Sequence, residues 1–185
     1  YIVSFLNLGL RSPSTCLRVR GVFDPPNINR WHLPFGGCAS APAFSMIKKA
    51  LVFLAPGFEE LEALAPVDVL RRANVSVAVA GVQADAAGRV FGAHNVPVVC
   101  DVPAEALDLS GFDLVYFPGG MPGAVNLASC GLCLDAARRV HDSGGLVCAI
   151  CAAPIVLDAA GLLDGMEYTC YPGFEKRISH GVYTG

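Results

Sequence analysis

Three things are scarce in this chain of 185 residues. No apolar run approaches the ~18 residues that a membrane-spanning helix needs, which excludes an ordinary helical span. Basic charge is not in excess. Thirteen Lys and Arg stand against sixteen Asp and Glu, a net charge of -3, so neither nucleic acid nor an anionic membrane has an electrostatic case as a partner. Histidine is limited to His32, His94, His141 and His180, and no feature of the sequence selects one of them as a general base. Charged residues make up 16% and hydrophobic residues 54%, a balance that excludes a disordered chain.

Cysteine, in contrast, is plentiful. The eight cysteines are not spaced as a small secreted disulfide framework, and the chain is long enough to bury a core without staples. A reducing compartment follows.

Residues 1–45 differ from the rest. They carry Pro13, Pro25, Pro26, Pro34 and Pro42, show no sustained period, and hold a local charge of +3. Two readings stand: an Arg-bearing, acid-poor transit segment, or translated upstream sequence with Met46 as the initiator. The expected location is cytoplasmic, or mitochondrial if residues 1–45 are a leader. On either reading this segment is expected to lie outside a folded domain at 46–185.

From Met46 onward, short apolar segments alternate with helical ones. Residues 50–54, 75–80, 96–99, 112–117, 145–150 and 167–170 read as strands. Residues 59–73, 132–141 and 152–160 read as helices, the first bent or restarted at Pro66. Such alternation implies an α/β fold whose mostly parallel sheet is covered on both faces. Sites in open sheets of this kind lie at the carboxyl ends of the strands. The loops after Leu54, Phe117 and Ile150 are therefore the ones to watch.

The segment Leu146-Val-Cys-Ala-Ile-Cys-Ala-Ala-Pro154 reads as a buried strand that turns sharply into a helix, with Cys151 at the elbow. A helix start favours the thiolate, and the Ala152 amide would face the same pocket as a donor for developing negative charge. A buried, inert thiol is the competing reading. Gly119 and Gly120 follow another strand and let backbone approach a ligand. An ordinary turn would look the same. Glu59, Glu60 and Glu62 open the first helix. Glu62 can face the sheet while Glu60 faces solvent, and burial would keep its proton on. Three solvated acids are the alternative.

Cys130-Gly-Leu-Cys133 and Cys148-Ala-Ile-Cys151 share a Cys-x-x-Cys spacing. A shared zinc site is disfavoured, because an odd separation along a strand turns Cys148 and Cys151 to opposite faces. No metal and no cofactor are expected. Cys130 and Cys133 are kept as secondary oxidation sites.

Four motifs in order carry a resemblance: residues 50–62 (Ala-Leu-Val-Phe-Leu-Ala-Pro-Gly-Phe-Glu-Glu-Leu-Glu), Pro66-Val-Asp-Val-Leu-Arg-Arg72, Phe117-Pro-Gly-Gly120 and Ala149-Ile-Cys-Ala-Ala-Pro154. From residue 47 to about 184 the chain resembles the ThiJ/PfpI superfamily, in the subgroup of the parkinsonism-associated deglycase. The resemblance implies a flavodoxin-like three-layer sandwich and a homodimer. It matches Cys151 to a reactive cysteine, Glu62 to the acid bonded to its sulfur, and Gly120 and Ala152 to backbone donors of an oxyanion site. Gly119, His94 and Tyr171 are the expected substrate contacts, His94 standing where the subgroup often has an arginine that approaches the partner's site. Two departures stand out. Tyr171 occupies a position where some members carry a histidine, which argues against a Cys-His-acid peptidase. The strand and terminal helix that close the family's fold have no counterpart here, so a truncated domain with one open sheet edge and one open apolar face is expected.

The function implied is a cofactor-free glyoxalase or deglycase of carbonyl and oxidative stress, acting on small aldehydes or glycated groups. A redox sensor or redox-regulated chaperone with Cys151 oxidised to sulfinate is the alternative. The older superfamily label, thiazole monophosphate biosynthesis, has no phosphate site behind it in this sequence.

Overall fold

A computed structural model of the chain describes residues 3–6 and 47–185. In chain order the elements are β1 (Val3–Leu6), β2 (Lys49–Leu54), α1 (Glu60–Arg72), β3 (Ser76–Gly81), β4 (Arg89–Phe91), β5 (Pro97–Val99), β6 (Val102–Pro103), β7 (Leu114–Phe117), α2 (Gly123–Ala128), α3 (Gly131–Asp142), β8 (Leu146–Ile150), α4 (Pro154–Ala159), β9 (Glu167–Tyr168) and β10 (Val182–Tyr183). The central sheet has the order β1-β8-β7-β2-β3-β6. All neighbours pair in parallel except β1, which runs antiparallel to β8.

The strands read as apolar runs because both of their faces are buried. Ala50, Val52 and Leu54 of β2 join Ala63 and Val67 of α1, while Leu51 and Phe53 face the opposite way, toward α2, α3 and α4. Both sets are fully inaccessible. This is the α/β fold with a mostly parallel, doubly covered sheet expected from the alternation, and the flavodoxin-like sandwich that the resemblance implies.

Helix α1 begins where Glu59 caps it, its carboxylate accepting the Glu62 amide at 2.6 Å. Glu60 and Glu62 in the first turn and Arg71 and Arg72 in the last complement the helix dipole. The helix does not restart at Pro66, and one helix runs through it. Proline cannot bond the carbonyl four residues earlier, which here belongs to Glu62. The Tyr116 hydroxyl donates to that carbonyl at 2.9 Å and supplies the missing partner.

Other expectations need correction. Residues 3–6 of the supposed leader pair with β8, Val3 opposite Ile150 and Leu6 opposite Val147. Part of the segment thus pairs with the sheet along β8. The remaining leader, with His32 and Met46, lies outside the described residues. On the α1 face a groove of about 550 Å³ does run beside β7 and β8, with Leu61, Pro66, Tyr116 and Ile150 among its apolar walls. The strand expected at 96–99 is one arm of a β4–β5 hairpin whose other arm is Arg89–Phe91. Helix α4 starts only at Pro154, after a turn at 151–153. The last strand expected at 167–170 is only Glu167–Tyr168, paired with β10.

Candidate functional site

The sheet order puts β2, β7 and β8 side by side and parallel. From β2 the chain proceeds to β3 on one side, and β7 and β8 lie on the other. The carboxyl ends of β2 and β7 are thus a topological switch point, where such sheets open a crevice. Cys151, Glu62 and Gly119-Gly120 converge there.

Cys151 adopts φ 59°, the left-handed region that costs a side-chain-bearing residue roughly 1–2 kcal/mol. The turn is held on both sides: Ala153 donates its amide to Ile150 at 2.9 Å, and Tyr171 donates its amide to the Cys151 carbonyl at 2.8 Å. The thiol is partly accessible. Tyr171 reaches the elbow through this backbone bond, while its ring is exposed and edge-on to Phe174 at 6.2 Å.

Glu62 is tethered at three points. Its amide is capped by Glu59, its carbonyl takes the Tyr116 hydroxyl, and its Oε2 accepts the Gly119 amide at 2.9 Å. Glycine at 119 is a steric requirement. A Cβ there would stand 2.5 Å from Glu62 Oε2, 2.7 Å from Cys151 Cβ and 3.1 Å from Cys151 Sγ. Sequence reasoning missed Glu59 and Tyr116. The legible signal for the latter was Pro66, four residues after Glu62, which announces a carbonyl in need of a donor.

The electrostatics correct the expected low thiol pKa. Burial pushes Cys151 up, the Glu62 carboxylate adds to this, and the Ala152 and Gly120 amides oppose it. The helix that should have favoured the thiolate begins three residues later. Glu62 also lies above its ordinary value, through burial first and then through the Glu59 charge, while the Gly119 amide and the Cys151 sulfur pull it down. Cys151 and Glu62 form a coupled pair that holds one proton readily and resists losing the second. Alkylation of Cys151 is therefore expected to rise with pH in a step above that of an ordinary thiol, because the ionised Glu62 opposes a second charge. Glu62→Gln should move that step to lower pH, since ionising the thiol then adds no second charge. Peptide-resolved iodoacetamide kinetics measure this, and an unmoved step in Glu62→Gln would refute the coupling.

Glu60 corrects another expectation: it is buried, at 8% exposure, not solvated. It accepts the His94 amide on Oε1 and the His94 Nδ1 on Oε2, both at 2.7 Å. The His94 imidazole lies beside Glu60, and its backbone ties the β4–β5 hairpin to α1. Burial works against the Glu60 charge, but the bonds from His94 outweigh it and hold the carboxyl below its ordinary value. Its bond to Glu60 raises His94. The depressed acid stabilises the fold above the unfolded glutamate value and loses this as pH falls through its folded value. The raised imidazole stabilises below the unfolded histidine value and loses this as pH rises through its folded value. Both contributions are complete between the ordinary values of 4.5 and 6.5. An NMR titration should find His94 above the ordinary range and returned to it by Glu60→Gln. An unshifted His94 in the parent chain would refute the pairing.

Among the described residues, Glu59, Glu60 and His94 are close enough to share a cation, with donor atoms within 4.8 Å. One Glu59 oxygen caps α1, and both Glu60 oxygens accept bonds from His94. The two Cys-x-x-Cys pairs cannot converge on one metal, because Cys133 is buried on the face of α2, α3 and α4 and Cys148 on the face of α1. His180 pairs with Asp158 and His141 with Asp142.

Fold and site together define a flavodoxin-like α/β domain with a cysteine at a strand-to-helix elbow. The DJ-1/PfpI family pattern matches residues 48–184. The chain belongs to the DJ-1/PfpI family. It is 39% identical over 133 residues to Protein dj-1beta of Drosophila melanogaster, covering 72% of this chain and 70% of that one. It is 35% identical over 137 residues to the Caenorhabditis elegans glutathione-independent glyoxalase DJR-1.2, covering 74% and 71%. Against Protein DJ-1 homolog B of Arabidopsis thaliana the identity is 36% over 141 residues, 76% of this chain but only 32% of the plant protein. The crystal structure of Drosophila DJ-1beta superposes with a TM-score of 0.70 at 37% identity, covering 75% of this chain and 74% of that one. No helix among the described residues is long and apolar enough to cross a membrane.

Proposed function

We propose that the chain is a cofactor-independent glyoxalase or deglycase, with Cys151 as nucleophile and small aldehydes such as methylglyoxal, or the glycated groups they form, as substrates. The observation that carries this is the close packing of Cys151 and Glu62 around Gly119, with the Ala152 and Gly120 amides beside the sulfur. The name of the C. elegans relative, a glutathione-independent glyoxalase, supports the same chemistry.

The Cys151 thiolate adds to the aldehyde carbon and gives a hemithioacetal. The Gly120 and Ala152 amides face the oxygen that gains charge. Glu62 takes the proton from the former aldehyde carbon and returns it to the neighbouring carbon, leaving a hydroxyacyl thioester. Water hydrolyses the thioester to a hydroxy acid and restores the thiol. Gly119, Tyr171 and His94 would contact the substrate, His94 from the partner in a homodimer. Incubation with methylglyoxal without glutathione should consume the aldehyde and release lactate in equal amounts. Consumption without lactate would leave only adduct formation and defeat the catalytic reading.

A second reading is favoured by the same donors. The amides and Glu62 beside Cys151 would hold the oxygens of a sulfinate, making the chain a peroxide sensor or redox-regulated chaperone. Intact mass after mild peroxide should then show two oxygens added at Cys151.

A further inference from the structure

The proposed function uses one cysteine of the six described. Cys100, Cys148 and Cys170 are raised by burial, Cys148 to about 12. Cys130 and Cys133 differ from these in placement. Helix α3 begins at Gly131, one residue earlier than the sequence pattern suggested, so that Cys130 is its N-cap and Cys133 closes the first turn. Cys130 is partly accessible and Cys133 fully buried. The pair combines Cys-x-x-Cys spacing, a start at the head of a twelve-residue helix, and one half-buried cysteine followed by one fully buried cysteine.

That arrangement suits thiol–disulfide exchange. The accessible sulfur meets a partner in solution, and the enclosed one resolves the mixed disulfide. Cys130 is the extended residue that caps the helix and Cys133 stands three residues on in its first turn, and the two thiols are close enough to act on each other. Its charge is favoured first by the Cys133 thiol and then by the Cys133 and Leu132 amides, against burial and Glu105, which brings it down to about 6. Cys133 is pushed up, first by its contact with Cys130 and then by burial.

We propose that Cys130 and Cys133 form a second redox centre, a dithiol at the start of α3 that exchanges with small disulfides independently of Cys151. The Cys130 thiolate attacks one sulfur of a disulfide RSSR, forming a Cys130–SR bond and releasing RS⁻. Cys133 then gives up its proton to that thiolate and attacks Cys130 Sγ. The second RS⁻ leaves and is protonated from solvent, which received the Cys130 proton. Two electrons pass from the cysteine pair to RSSR, giving one internal disulfide and two RSH.

The test equilibrates the native chain with mixtures of reduced and oxidised glutathione, then alkylates the remaining thiols and maps peptide masses. Cys130 and Cys133 should lose alkylation together, with a mass lower by two hydrogens, at ratios that leave Cys100, Cys148 and Cys170 free. At pH 7 Cys130 should alkylate at least about tenfold faster than Cys133. Cys133→Ala should stop at one glutathione on Cys130, and Cys151→Ser should leave the internal disulfide unchanged. Glutathione retained on Cys130 of the parent chain, or an internal disulfide formed only in denaturant, would overturn the proposal. A disulfide lost in Cys151→Ser would overturn its independence from the elbow. The result for the parent chain decides the matter even if a variant fails to fold.

Discussion

Cys151→Ser should reduce methylglyoxal turnover by at least roughly a thousandfold, which corresponds to about 4 kcal/mol of lost transition-state stabilisation. Serine preserves the size of the side chain, and its amide can still hold the elbow. It cannot offer a thiolate, and Glu62 lies above its ordinary value chiefly through burial, a poor setting for drawing a proton from an alcohol. Cys148→Ser is the matched control. That sulfur is 1% exposed and belongs to the core cluster under α1, so its loss should affect stability while a folded variant keeps its turnover. The measurement is lactate release per folded molecule, with folding checked by circular dichroism. Unchanged turnover in Cys151→Ser would remove the elbow from the mechanism and leave the peroxide-sensor reading in possession of this cysteine.

The parts of this molecule that were legible in the sequence are those where one local rule is enough. The runs at 50–54, 112–117 and 145–150 announced themselves because strands buried on both faces have no polar alternation to blur them. Helix α1 was legible from its opening acids and its helical spacing. The β4–β5 hairpin was only half visible, since three-residue strands around Gly92 and Asn95 carry too little pattern. Helix α2 has six residues and opens at a glycine, below the length at which helical spacing registers. The elbow could be read because strand, cysteine and proline are contiguous. The proton balance could not, because the value of Cys151 depends on burial and on Glu62, which reaches it from another strand end. The pairing of Glu60 with His94 joins residues 34 apart, and no local pattern encodes it. Cys130 shows how narrow the margin is. A helix start moved by one residue turns a loop cysteine into the cap of a helix, and only the structure supplies that residue.

Gly120→Ala should destabilise the fold by roughly 2–5 kcal/mol, the sum of a left-handed backbone and an overpacked contact. Gly120 has φ 89°, where any side chain is strained. Its Cβ would meet backbone: the Glu59 amide nitrogen, the Gly57 carbonyl oxygen at 2.6 Å and the Phe58 carbonyl carbon at 2.6 Å. These atoms cannot swing aside, because the loop after β2 is bonded to its surroundings at Gly57, Phe58 and Glu59, the last through the Gly119 carbonyl at 2.9 Å. A melting temperature lower by roughly 5–15 °C is expected for a chain of this size. The change at Gly119 is of another kind. There the added methyl meets the tip of Glu62 and the Cys151 side chain, atoms that can yield by rotating apart. Gly119→Ala should therefore melt closer to the parent while separating the carboxyl from the sulfur, so that the Cys151 alkylation step moves to lower pH as in Glu62→Gln. Thermal melts and alkylation profiles of the two variants test both halves. Equal melting of Gly120→Ala and the parent would mean that the loops after β2 and β7 do not meet as tightly as described, and an unmoved alkylation step in Gly119→Ala would mean that the glycine does not hold the pair together.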